Sequence, residues 1–164
     1  MEVLQWLEET SLSIWIRESP SLWAFPMVLL LHTTGMALVV GISTGIDLRI
    51  LGFAPALSLS SLQKFLPILW VGFAVNAITG TLLVMQDART KLTNPDFYVK
   101  LVFIVLALIT LRLLKNRVFG NSRIDHVPLS RDVKVLAVAS MFFWLGAITA
   151  GRLLAYIGPV SGLE

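Results

Sequence analysis

The chain has 164 residues, 56% of them hydrophobic and 14% charged, with a mean hydropathy of +0.81 and a formal net charge of +3. So apolar a composition excludes an ordinary soluble domain, and the absence of cysteine excludes disulfides, thiolate nucleophiles, iron–sulfur clusters and zinc–thiolate sites. The basic residues stand between apolar runs and are not interleaved with aromatics on a polar face, which points to membrane topology and away from nucleic acid as a partner.

The opening segment, MEVLQWLEETSLSIWIRES, is too polar to span a bilayer and has no early Lys or Arg, so it does not read as a signal peptide. Val3, Leu4 and Leu7, then Leu12, Trp15 and Ile16, form short apolar stripes, with Trp6 and Trp15 suited to the headgroup zone. They predict an interfacial amphipathic helix, or a pair of turns, over residues 1–20, acting as a surface anchor.

A bilayer core of about 30 Å needs roughly 20 helical residues to cross it. Four stretches qualify, at 22–44, 62–85, 97–114 and 133–157, giving a transmembrane domain over 21–158 and a short tail at 159–164. Backbone groups in lipid must be satisfied internally, so each stretch is a helix. Pro26 and Pro67 fall early in theirs, where a missing N–H costs least. Short loops predict an all-α, up-down-up-down four-helix bundle integral to the membrane. The connection holding Lys115, Arg117, Arg123, Arg131 and Lys134, with Arg112 just before it, is the most basic segment. The positive-inside rule places it in the cytoplasm with the 47–64 connection, and places both termini outside.

Small residues mark positions where helices can approach closely or a flat cofactor can enter. They are Gly41 and Gly45 on the first helix, Gly72, Asn76 and Gly80 on the second, and Ala147 and Gly151 on the fourth. An ionisable group at a helix centre costs roughly 2.5–3.5 kcal/mol on insertion scales, so each one requires an account. His32, in LLLHTTGMALVVG, lies about ten residues and about 15 Å into the first helix, near the midplane. The other histidine, His126, falls in the basic loop, so no second intramembrane imidazole comes from this chain. A structural His32 would donate to a carbonyl or to Thr79. Lys100 and Arg152 lie toward the outer ends of the third and fourth helices, where they can snorkel or, with Asn76, Tyr98 and Tyr156 at similar depth, hold carboxylates. Glu18 is an alternative partner for Arg152.

Met36 shares a helix face with His32 and could join it in binding a soft ion such as Cu(I). The two point to the same side and cannot be opposite axial ligands of one haem. Met141 is expected across the bundle at the depth of His32, and His/Met ligation is an established way to hold a low-spin haem. In that arrangement Lys100 and Arg152 would meet the propionates, with Trp70, Phe73 and Trp144 as flat walls. Asp47 and Arg49, near the cytoplasmic end, are expected to pair with each other or with Lys64 or Arg112. Asn94 or Asp96 should cap the third helix, with Pro95 barring its backward extension.

The segments ESPSLWAFPMVLLLHTTGMALVVGISTGIDLRILG, LPILWVGFAVNAITG, NPDFYVK and FWLGAITAGRLLAY resemble a family of small uncharacterised bacterial inner-membrane proteins with four helices, over about 18–156. More distantly, a histidine in the first helix, WxG in the second and a lysine after the second loop are similar to copper-resistance D-type domains and to membrane haem-dependent protoporphyrinogen oxidases. The latter resemblance implies haem b on His32.

Three readings follow. The first is a b-type haem protein of the bacterial inner membrane, serving electron transfer or haem-dependent redox chemistry with a hydrophobic partner such as quinone or porphyrin. A symmetric homo-oligomer sharing one haem between two His32 residues is a variant of it. The second is a copper or proton transport protein using His32 and Met36, with Asp47 near the cytoplasmic end. The third is a cofactor-free membrane subunit or assembly factor. No nucleophile–base pair, carboxylate dyad, phosphate loop or zinc motif stands out, so the sequence does not decide whether the chain is an enzyme.

Overall fold

The computed structural model describes residues 2–119, 129–154 and 156, and among these residues it contains helices and no strands. The helices are α1 (Glu2–Glu8), α2 (Ser11–Glu18), α3 (Phe25–Leu51), α4 (Leu59–Gln63), α5 (Leu66–Met85), α6 (Ala88–Thr93), α7 (Pro95–Val118) and α8 (Arg131–Leu153). Four helical stretches, at 25–51, 59–85, 95–118 and 131–153, are long and apolar enough to cross a membrane. They are apolar around their circumference, and Leu30, Val71, Ile78, Val102, Val135 and Leu145 are more than half exposed. That surface suits lipid and not water.

Local chemistry sets the boundaries. Pro26 and Pro67 occupy first turns, and the Asn94 side chain accepts from Asp96 N–H at 2.9 Å to start α7 behind Pro95. Gly52 ends α3 in the left-handed region (φ 103°), and Phe53 N–H closes on the Leu48 carbonyl at 3.0 Å, which is the bond of a Schellman cap. Helix α3 therefore runs to Leu51 and not to 44, and α7 runs to Val118 and not to 114. The added turns carry Ile46, Ile50 and Val118, which pack with Leu59, Leu66, Leu114 and Val133. This apolar core continues beyond the length that a hydropathy window measures. Helix α6 lies in what the sequence reads as a loop, because six residues are too few to show a period. The fourth long helix ends at Leu153, with 155 and 157 outside the described residues, as are Arg123 and His126 of the basic loop.

Helix α5 packs on α3, α3 on α8, and α8 on α7, whereas α5 and α7, at the two ends of this row, do not pack closely on each other. The tightest crossing is α3 on α5. A Cβ at Gly35 would stand 2.7 Å from the Gly72 carbonyl oxygen and 2.9 Å from Asn76 N, so only glycine permits this approach. Gly41 and Gly45, the expected GxxxG contact, have nothing within 4 Å of a built Cβ. At the N-terminal end of α3, helices α1 and α2 are tied to the 86–89 segment. Glu8 accepts from Arg89 N–H (2.7 Å) and Nε (2.9 Å), and Arg17 donates to the Gln86 carbonyl (3.0 Å).

Candidate functional site

The buried stripe of α3 runs through Val28, Gly35, Val39, Ser43, Asp47 and Ile50 at helical steps, and His32 falls on the same line. Glycine makes room for the imidazole, since a Cβ at Gly80 would lie 3.0 Å from His32 Cε1. The ring thus sits between α3 and α5. Its Nδ1 is 3.0 Å from the Asn76 carbonyl oxygen and 3.2 Å from Thr79 Oγ1. The Asn76 side-chain amide is also 3.3 Å from Nδ1 but makes its shorter bond to the His32 carbonyl, and a carbonyl only accepts, so the closer Asn76 carbonyl assigns the proton to Nδ1. Asn76 closes the cluster by donating its amide to the His32 carbonyl at 2.7 Å. Nε2 of His32 has no hydrogen-bond partner among the described residues, and its lone pair is left for a ligand or a proton.

Below this cluster the four helices enclose a cavity of about 20 Å³, bounded by Met36, Val39 and Val40 of α3, Asn76 of α5, Lys100 of α7 and Trp144 of α8. That volume admits one water molecule. The Lys100 stem lies across Gly151, where a Cβ would stand 3.3 Å from Cε. Lys100 is half-buried and has neither an ion pair nor a hydrogen bond among the described residues.

On the far side of the cavity, Trp144 Nε1 donates to Ser43 Oγ at 3.0 Å, and Ser43 and Ser140 hydroxyls stand 3.4 Å apart. Asp47 follows Ser43 by one turn and is fully buried. Ser140 stands beside it, yet neither carboxyl oxygen has a hydrogen-bond partner among the described residues. The expected ion pairs do not form. Arg49 donates to the Leu57 carbonyl instead, and Lys64 and Arg112 are exposed. The carboxyl lies on the buried stripe of α3 and the guanidinium two residues on does not, which separates them.

The structure brings Met36, Asn76, Lys100 and Trp144 around one small space, with His32 beside it through its hydrogen bonds to Asn76. It does not bring Met141, Arg152 or Trp70 there. Met141 adjoins Ser140, whose partner Ser43 lies eleven residues along α3 from His32, or about 16 Å by helical rise. Arg152 is exposed, donates to Tyr156 Oη at 2.8 Å and stacks on that ring at 5.1 Å, while Glu18 pairs with Arg17 at 3.1 Å. Trp70 lies on the outer face, edge-on to Phe73 at 5.9 Å.

Haem and copper were expected at His32. The imidazole suits either, with Nδ1 tied to a carbonyl as in many metal-bound histidines. The space does not suit haem, because ligand pockets measure about 300–1,000 Å³ and the interior offers about 20 Å³. The Met141 ligand is also absent from the His32 level. For copper, Met36 and His32 supply two ligands, and no cluster of three or more His, Cys, Asp or Glu residues occurs among the described residues. Sequence reasoning had missed Gly35, Ser43 and Ser140. Their signal is the spacing of small and hydroxyl residues on the Asp47 stripe. Compared with known proteins, the chain matches no family model, no curated protein and no solved structure.

Proposed function

We propose that this chain is a small multi-pass protein of a bacterial inner membrane that passes protons between the two ends of a four-helix bundle, with His32 and Asp47 taking them up and releasing them. With both termini periplasmic, His32 and Lys100 belong to the periplasmic half and Asp47 to the cytoplasmic half. The observation that carries this reading is Asp47, a fully buried carboxyl with no ion-pair partner among the described residues and only the Ser140 hydroxyl beside it, on the same stripe of α3 as His32. Ionisable groups within spans are costly and mark ion or proton paths.

Protons move between groups that both donate and accept. The hydroxyls of Ser43 and Ser140 are such groups beside Asp47, and Trp144, whose indole N–H only donates and carries no proton itself, holds the Ser43 hydroxyl next to the cavity it lines. One water there would extend the chain toward Asn76 and Lys100, and Lys100 is a third group able to carry a proton. His32 and Asp47 stand fifteen residues apart, about 22 Å along α3, which is most of a bilayer core. Purified protein in liposomes, given a pH gradient and a pH-sensitive dye inside, should equilibrate protons faster than empty liposomes. Asp47→Asn and His32→Gln should each abolish the excess, and unchanged flux in both variants would remove the proposal.

A second reading is favoured by the free Nε2 of His32. A haem b would supply one-electron chemistry when bound, and a symmetric pair of chains could hold it between two His32 residues, with a quinone or porphyrin as the hydrophobic partner. In this reading the haem sits outside the four-helix interior. A Soret band from detergent-purified, haem-supplemented protein, lost in His32→Ala, tests it. Its absence would leave the proton reading. Under both readings the chain is a proposed member of the small bacterial four-helix family that its sequence resembles.

A further inference from the structure

A cleft of about 590 Å³ opens at the N-terminal end of α3, lined by Glu8, Arg17, Phe25, Asp87, Arg89 and Thr90, with Gln86 behind them. Its volume is that of a ligand site. Phe25 begins one membrane-length helix and Met85, just before Gln86, ends another, so the cleft lies where spans leave the hydrocarbon. Leu22 and Trp23 nearby are 77% and 70% exposed, as suits residues at the interface.

The lining carries two guanidinium groups and two carboxylates, and the hydrogen bonds show which of their atoms remain. Both Glu8 oxygens are taken by Arg89, through its backbone N–H and its Nε. The terminal nitrogens of Arg89 keep no partner among the described residues. Arg17 commits one terminal nitrogen to the Gln86 carbonyl and the other to Glu18, leaving Nε. Asp87 accepts at Oδ2 from Lys91 Nζ at 2.9 Å and retains Oδ1. What remains is a set of guanidinium donors beside one carboxylate acceptor and the Thr90 hydroxyl.

We propose that this cleft binds the headgroup of a zwitterionic phospholipid bearing a primary amine, its phosphate on Arg89 and Arg17 and its ammonium on Asp87. Arg presents planar donors that match a phosphate, and a primary ammonium donates hydrogen bonds to a carboxylate. A quaternary ammonium donates none and seeks an aromatic cage, whereas Phe25 is the single aromatic residue in the lining among the described residues. An anionic headgroup would meet Glu8 and Asp87 without an ammonium to offer them. The acyl chains would run down the exposed apolar flank of α3 below Phe25, where Leu29 and Leu30 face outward.

The test is native mass spectrometry of the full chain released from nanodiscs of phosphatidylcholine containing equal parts of phosphatidylethanolamine and phosphatidylglycerol. Retention of phosphatidylethanolamine about tenfold above the other two is expected, the size of one charge-assisted contact. Arg17→Gln should weaken retention of all three lipids, since they share the phosphate, and leave the order among them unchanged. Asp87→Asn should shift the preference toward phosphatidylglycerol, a gain that a misfolded variant would not give. Equal retention of the three lipids overturns the proposal, as does an unchanged preference in Asp87→Asn. Displacement of the retained lipid by water-soluble phosphoethanolamine at similar concentration would also overturn it, assigning the cleft to a free solute.

Discussion

Replacing Asp47 by leucine should make the protein more stable and stop proton flux. The side chain is fully buried, neither oxygen has a well-formed hydrogen bond among the described residues although the Ser140 hydroxyl stands beside it, and Ile46 and Ile50 of the apolar core flank it along the helix. A buried polar group without a partner costs about 1–3 kcal/mol, and leucine matches the branching of aspartate while adding apolar surface. Asp47→Leu is therefore expected to gain about 1–3 kcal/mol, which is several degrees of melting temperature in a chain of this length. Asp47→Asn keeps shape and polarity but cannot carry a proton, so its stability should stay near that of the parent while flux is lost. Thermal unfolding in one detergent, followed by circular dichroism, gives the first quantity and the liposome assay gives the second. If Asp47 were instead one half of a buried ion pair, removing it would cost about 3–5 kcal/mol. A destabilised Asp47→Leu, or a conducting one, would refute the reasoning.

Gly35→Ala places a methyl group 2.7 Å from the backbone oxygen of Gly72, where no side chain can yield, so it should destabilise by about 1–3 kcal/mol in the same unfolding assay. Gly41→Ala, with open space around it, should cost nothing measurable. Trp144→Phe leaves Ser43 with Ser140 as its hydroxyl partner, for a cost of about 1 kcal/mol, and should slow proton equilibration by disturbing the cavity wall. Glu8 accepts from the Arg89 backbone N–H and guanidinium, which holds its carboxyl below the ordinary value of 4.5 despite partial burial. Its contribution is complete above that ordinary value and is lost as pH falls through the lower, folded value. Protease protection of the 1–18 segment should accordingly hold from pH 7 to about 5 and decline below 4.5, whereas Glu8→Gln should show weaker protection and no such decline.

Much of the architecture was legible because membrane helices announce themselves by composition, and the caps at Pro26, Pro67 and Asn94 work through local chemistry alone. The face of Gly72, Asn76 and Gly80 was legible too, since steps of four fix a face whatever it meets. What each face meets was not. Placing Met141 opposite His32 assumed that helices register by distance from a predicted end, and α3 continues seven residues beyond the predicted 44 to Leu51. The error moves Met141 down to the level of Ser43. Arg152 was misplaced for a different reason. It adjoins Gly151, which faces Lys100, but the next residue on a helix turns by about 100°, and that is enough to carry it outward. Asp47 illustrates the limit of charge counting, because sequence proximity to Arg49 suggested a pair that helical geometry forbids.

The pairing of α3 with α5 bears on how the chain is made. His32 finds Asn76 and Thr79 within the first two long helices, so that hairpin can enter the bilayer with its imidazole already hydrogen-bonded. Ser43 and Asp47 have no such shelter until α8 arrives, since Trp144 and Ser140 are synthesised about a hundred residues later. During that interval a carboxyl faces lipid or the translocation machinery. The newborn chain therefore carries a timed vulnerability at Asp47 that the finished protein conceals.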